Sequence, residues 1–323
     1  MVFKCFFTLY RNIEKPLPAT IGYNATKSLI SFLENYKAPQ FIHSGNWWNI
    51  KPEKRTKEVV LDKSIELTNK FTSGIMSMNV QPGNNQYYWI EDEKNESHLQ
   101  VCLDNAIWAR DELERRGVDI PLYCTLQPST VEMARRWFQK ALDDGFNHLS
   151  MGVSEFLRSP KYRKEGIKRV LSITREIAKI SKGKDHSFHL SGFMSFNLLP
   201  IVAILGATST DGSTPVQSGL AYGTIFFPNG KGMQVNKLIE KSAENEWNCG
   251  CAHCKDKTKE VIFNSFKDRH VRVQHNLNLW EGLVNRINTR IIKEPRGWFE
   301  KNEASFSPRT KKHWERLFFL MEN

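Results

Sequence analysis

Long apolar runs are missing from this 323-residue chain. No stretch approaches the roughly 18 consecutive apolar residues that a membrane span needs. The N-terminal "MVFKCFFTLYRNIEK" has a short apolar patch but no long hydrophobic segment and no small-residue cleavage site. A membrane protein and a secreted precursor are both set aside, and the expected setting is cytoplasmic. Cysteine is scarce too, with six in all. Three of them, Cys5, Cys102 and Cys124, stand singly in apolar surroundings. Such cysteines are expected to be reduced core residues, which excludes a disulfide framework. Internal repeats and low-complexity segments are absent. Acidic residues are under-represented, 35 against 46 Lys plus Arg, for a formal net charge of +11.

The basic excess gathers in "KPEKRTK" (51–57), "RSPKYRKEGIKR" (158–169) and "SPRTKKHWER" (307–316). Clusters of this kind favour a polyanionic partner, nucleic acid above all, with solvated helix faces as the plain alternative. Hydrophobic residues make up 40% of the chain, enough to bury a sizeable core. Strand-like runs are "QFIHSG", "GIMSMNV", "QYYWI", "PLYCTL", "HLSMGV" and "SFHLSG". Most are followed by apolar residues at three- and four-residue spacing. In "STVEMARRWFQKALDDG", Ser129 or Thr130 can cap a helix, Met133, Ala134, Trp137, Phe138 and Ala141 form its buried stripe, and Gly145 ends it. Strand–helix alternation over most of the chain predicts a parallel α/β fold. A (β/α)8 barrel is the first expectation and a doubly wound sheet the second.

In a barrel, chemistry belongs at the C-terminal strand ends. Those ends carry His43, Ser44, Gly45 and Trp47 in "FIHSGNWW", Glu91 and Asp92 in "YYWIEDE", Gln127 in "LYCTLQ", Gly152 in "LSMGVSE" and Asp211 in "GATSTDGST". Each alone has an ordinary reading as a helix cap or loop residue; their shared placement singles them out. Further on, "SGLAYGTIFFPNGKGMQV" reads as a hairpin turning at "PNGKG".

The other three cysteines crowd into "WNCGCAHCKDK" as Cys249, Cys251 and Cys254. Such a loop is either a metal site or a redox-active one. His275, in "RVQHNLNLW", supplies a fourth soft ligand, and three thiolates with one imidazole complete a closed, tetrahedral, structural zinc site. His253 and His270 compete for that place, but His253 sits within the tight cysteine loop.

The C-x-C-x2-C followed by "HN" resembles the zinc-binding segment of the tRNA-guanine transglycosylases. Four other segments resemble that family's motifs in order: "HSGNWW", "CTLQ", "LSMGVSE" and "GATSTDGST". The resemblance runs from about Phe41 to Trp280. It implies a (β/α)8 barrel with a zinc-bearing subdomain inserted near its end, and base exchange by double displacement. On that basis Asp211 is the nucleophile. Trp47 stacks on the base, and Asp92 (or Glu91), Gln127 and the backbone at Gly152 bind its polar edge. Two features depart from the family. His43 stands where an aspartate is usual, which leaves it a proton-shuttling role, and the interval from Cys254 to His275 is shorter.

The implied division is a barrel over 1–240, a zinc subdomain over 241–280 and C-terminal helices over 281–323. Only two helix-like stretches, near 282–292 and 308–321, follow the zinc region, so no appended RNA-binding domain is expected. The segments "HSGNWW" and "DGSTPVQSG" look closer to the DNA-acting branch of the superfamily, which inserts 7-deazaguanines such as 7-cyano-7-deazaguanine into DNA. The resemblance thus implies DNA and a 7-deazaguanine base as partners, in a bacterial or phage-infected cell. A homodimer or a helper ATPase is compatible with it. A tRNA substrate with the same chemistry, or a catalytically silent zinc-containing paralogue, are the alternatives.

Overall fold

The computed structural model describes the chain except residues 1, 13–14, 26, 46–54, 81–86, 241–248, 252 and 323. Eight strands, Lys4–Thr8 (β1), Ala19–Gly22 (β2), Gln40–His43 (β3), Thr72–Met76 (β4), Leu122–Thr125 (β5), His148–Gly152 (β6), Ser187–Ser191 (β7) and Ser209–Gly212 (β8), pair in sequence order. All pairs are parallel, and β8 returns to β1 with Phe6 opposite Asp211, closing the barrel. The expected (β/α)8 architecture is what forms.

Strand periodicity sorts the side chains. Phe6, Phe41, Met76 and Tyr123 meet inside the barrel, whereas Cys5, Phe7, Ile42 and Ile75 face the helix layer as part of the main core. That layer comprises Lys27–Leu33 (α1), Lys57–Glu66 (α2), Tyr88–Glu91 (α3), Ser97–Arg115 (α4), Val131–Asp143 (α5), Ser154–Arg158 (α6), Arg163–Ile180 (α7), Leu199–Ile204 (α8) and Thr214–Leu220 (α9). Thr130 caps α5 by accepting from the Met133 N–H, as the sequence indicates. Cys5, Cys102 and Cys124 are buried free thiols.

In the run "QYYWI", Tyr87 to Ile90 are not a strand. Tyr88 to Glu91 form one short helical turn, which buries Tyr88 and Trp89 in the helix layer. The β1 and β2 segments, absent from the strand-like runs, take the vacant places in the barrel.

After α9 the chain makes the expected antiparallel hairpin, Thr224–Phe226 (β9) with Gly232–Gln234 (β10). Then follow Val235–Glu240 (α10), the cysteine loop, Lys259–Ser265 (α11), Arg269–Arg286 (α12), a π turn at Ile287–Ile291, Pro295–Asn302 (α13) and Pro308–Glu322 (α14). The expected junction at residue 280 falls inside α12, which packs on α9 and β9. Among the described residues no helix is long and apolar enough to cross a membrane.

Candidate functional site

A cavity of about 420 Å³ opens over the C-terminal strand ends, within the ordinary size range of small-molecule pockets. His43, Ser44, Gly45, Gln127, Gly152 and Asp211 line it. Seven strand ends or the loops just beyond them contribute to it, which is how a barrel gathers residues far apart in sequence.

Asp211 lies on β8 and is 3% exposed. Its Oδ1 accepts from the Gly192 N–H at 2.5 Å and its Oδ2 from the Thr20 hydroxyl at 2.9 Å. His189 Nε2 stands 3.7 Å from Oδ2. Burial alone would raise the Asp211 pKa, but His189, the field of His43 and the Gly192 N–H outweigh it and hold the group down at about 2. The carboxylate is therefore ionised at neutral pH although solvent is excluded. Gly192 has φ +80°, a conformation that suits glycine and that turns its N–H onto Asp211.

His43 ends β3. The positive φ of Gly45, +79°, folds its N–H back onto His43 Nδ1 at 3.0 Å. An N–H only donates, so Nδ1 is the acceptor and the neutral ring carries its proton on Nε2. Burial, the largest influence, lowers the His43 pKa against the opposing pull of Asp211. At neutral pH His43 thus presents a hydrogen-bond donor. To act as the proton shuttle expected from the sequence, Nδ1 would first have to release Gly45.

Gln127 sits two residues past β5, with its carbonyl bonded by His98 Nε2 at 3.0 Å. A Cβ at Gly152 would fall 2.1 Å from Gln127 Nε2, so the glycine makes room for the amide. Among the described residues Gln127 Oε1 is buried without a hydrogen-bond partner, and so is Oε2 of Glu155, a cavity residue 3% exposed. Two such buried acceptors in the lining of one cavity suit a ligand with N–H groups.

Asp92 is not brought to the site. It follows the short α3 turn, is exposed, and accepts a hydrogen bond from Asn95 at 2.9 Å; neither it nor Glu91 lines the cavity. Its expected place depends on "YYWI" ending as a strand, whereas Tyr88–Glu91 is a helical turn. The polar residue that the β4 end delivers is Asn79, which is not among the expected site residues. Its signal was available: three residues beyond a strand, much as Gln127 stands two beyond its own. Trp47 lies outside the described residues.

The basic clusters are partly structural. Arg55 is 6% exposed and bonds Ser44 and Asn79. Arg169 holds the Trp89 and Ser129 carbonyls and pairs with Glu93 and Glu165.

Away from the cavity, ligand atoms of Cys249, Cys251, Cys254 and His275 all lie within 4.8 Å of one another. His275 Nδ1 is 3.4 Å from both Cys251 Sγ and Cys254 Sγ. Its Nε2 meets the Phe226 carbonyl at 2.9 Å. That acceptor fixes the ring proton on Nε2 and leaves the Nδ1 lone pair for a cation. Hydrogen bonds from Cys249 and Cys254 lower the Cys251 thiol, while Cys254 is pushed up by the same crowding. Three sulfurs this close ionise together only beside a cation, so the donor set fits a metal ion. Asn276, the next residue, accepts from the Phe226 N–H and donates to the Pro215 and Thr224 carbonyls. His253 instead bonds Ser265, and His270 lies against Tyr10; neither joins the cluster.

Comparison with protein-family models and with curated proteins finds no match to this chain.

Proposed function

We propose that the chain is a base-exchanging transglycosylase that replaces guanine in DNA with a 7-deazaguanine. The observation that carries this reading is Asp211: a solvent-excluded carboxylate, ionised and held by two donors, at the floor of a cavity whose wall offers unpaired acceptors. In this scheme an Asp211 oxygen attacks C1′ of a guanosine flipped out of its stack. The C1′–N9 bond breaks, and its electron pair leaves with the base. Thr20 and Gly192 orient the carboxylate, and Nε2–H of His43 donates to the departing base. Guanine, expelled as its N9 anion with His43 Nε2–H hydrogen-bonded to it, takes a proton from solvent; the incoming 7-deazaguanine gives its N9 proton to solvent and attacks C1′ from the vacated side, releasing Asp211. One glycosidic bond replaces another with retention, and the protons balance between the two bases.

Guanine's N1–H and amino group match the free acceptors of Gln127 and Glu155. The metal is read as zinc in a structural role, since three thiolates and an imidazole fill a tetrahedron and leave no position for substrate. The choice of DNA over tRNA rests on the resemblance of the "HSGNWW" and "DGSTPVQSG" segments.

Incubation with labelled 7-deazaguanine and either duplex DNA or tRNA tests the reading. Label should enter DNA with the native chain and not with Asp211→Ala, which should also form no trapped adduct. Label in tRNA alone would reassign the substrate. Full activity in Asp211→Ala would overturn the mechanism, and binding of DNA without incorporation into either polymer would favour the silent paralogue.

A further inference from the structure

Arg55 is a buried guanidinium with no carboxylate partner among the described residues. All four of its hydrogen bonds go to two residues that line the cavity. Nε and Nη2 donate to the Ser44 carbonyl, each at 3.2 Å; Nη1 donates to the Asn79 carbonyl at 2.7 Å, and Nη2 to Asn79 Oδ1 at 2.9 Å. The Ser44 hydroxyl donates to that same Oδ1 at 3.0 Å.

This arrangement settles which way the Asn79 amide points. A guanidinium can only donate, so the atom facing it has to be the oxygen. With Oδ1 bound by Arg55 and Ser44, Asn79 turns its Nδ2 group away from them, and that group bonds no described residue. A clamp of this kind costs a buried charge without a counter-ion. What it secures is the mutual placement of Ser44 and Asn79, which Arg55 bonds together.

We propose that Asn79 is a specificity-determining residue: clamped by Arg55, it presents N–H donors to the cavity, and the base bound there must bring a carbonyl oxygen to that wall. The inference rests on the base-exchange reading. Leaving guanine and entering 7-deazaguanine must both satisfy the same donor. They share O6 and N3, whereas N7 is missing from the deaza base. N3 adjoins the glycosidic nitrogen, where Asp211 needs access, so O6 is the partner of Asn79. The N1–H and amino donors then fall to Gln127 and Glu155. A base with an amino group in place of O6 sets donor against donor and leaves both unpaired.

Asn79→Asp reverses this logic with little risk to the fold. One carboxylate oxygen keeps the bonds to Arg55 and Ser44, now as an ion pair, and the other offers an acceptor to the cavity. The test is calorimetric titration of native and Asn79→Asp protein with 7-deazaguanine and with 7-deaza-2,6-diaminopurine, which carries an amino group at C6. Thermal melts check folding of the variant. The native chain should prefer 7-deazaguanine by about tenfold or more; in the variant that preference should shrink by about tenfold, because the introduced carboxylate accepts from the C6 amino group and repels O6, while the unprotonated N1 of the diamino base still faces Gln127 and Glu155 in both proteins. A folded variant that keeps the native preference overturns the role of Asn79 and leaves base exchange standing. If neither base binds the native chain, the base-exchange reading itself falls, and this inference with it.

Discussion

His189 Nε2 lies 3.7 Å from Asp211 Oδ2, with both side chains closed to solvent. An ionised carboxylate only accepts, so the imidazole nitrogen that faces it carries a proton. The ring is held from its other side by Ser209 Oγ, 2.8 Å from Nδ1, and stacks on Phe41 at 4.0 Å. At 3.7 Å the contact with Asp211 is electrostatic rather than a short hydrogen bond, yet it acts where water cannot screen it.

Replacing His189 by Phe should keep the stack and remove that polar contact. Asp211 would then titrate higher, and the acid limb of the proposed exchange activity should move upward in pH. The maximum rate at alkaline pH should be affected much less. A pH–rate profile of native and variant reads the difference; superimposable acid limbs would show that His189 only fills space.

The depressed Asp211 also stabilises the fold. Its folded pKa of about 2 lies below the ordinary 3.8, so its contribution is present above about pH 4 and is lost as pH falls toward 2. The magnitude is roughly 2 kcal/mol from a shift of this size. Asp211→Asn should therefore flatten the stability curve between pH 4 and 2, as followed by urea unfolding. A variant curve parallel to the native one throughout that range would count against the ion's role.

Histidines act in a higher window. Burial lowers the pKa of His43, His98 and His148, and that of His313 to about 4, the last with help from Arg309. A histidine whose folded pKa is depressed favours folding above its unfolded value of 6.5 and loses that contribution as pH drops through and below it. Melting temperature should fall between pH 7 and 5, and His313→Phe should fall less steeply than the native chain.

Two glycine substitutions should separate chemistry from stability. At Gly152 a Cβ meets the movable end of Gln127 at 2.1 Å. Gly152→Ala should displace that amide and weaken base binding while melting near the native temperature. At Gly166 a Cβ meets the Phe156 backbone oxygen at 1.8 Å, which cannot rotate away. Gly166→Ala should cost about 1–3 kcal/mol of stability. Equal melting temperatures for the two variants would refute this contrast.

Metal removal should be felt at the hairpin. His275 and Asn276 tie α12 to Phe226, Pro215 and Thr224. Chelation, or Cys251→Ser, should release about one equivalent of metal and open the β9–β10 region to limited proteolysis, since metal and fold are coupled. Elemental analysis alongside the digest checks both halves; an unchanged digest of metal-free protein would make the cluster dispensable.

The barrel was legible because most of its strands are short apolar runs followed by helices of 3.6 periodicity, as at Leu122–Thr125 and α5. The "KCFFT" of β1 read only as an apolar patch, and the "ATIG" of β2 is four residues with little pattern. What makes them strands is the closure of the sheet, a tertiary demand. "QYYWI" misled because aromatic and β-branched residues suit a buried helical turn as well as a strand. The metal cluster was legible because ligand spacing is local. Arg55, His189 and Glu155 were not, since their roles arise from loops and strands that meet only in the folded barrel.

The seam between Lys4–Thr8 and Ser209–Gly212 also bears on how the molecule is made. The strand Lys4–Thr8 must wait for Ser209–Gly212, some two hundred residues later, before it has its second neighbour, and long-range pairing of this kind is slow. Asp211 rides on that last strand, and its partner Thr20 comes from the second. A chain that lacks the eighth strand therefore carries no assembled carboxylate site, so the site proposed here exists only once the ring has closed.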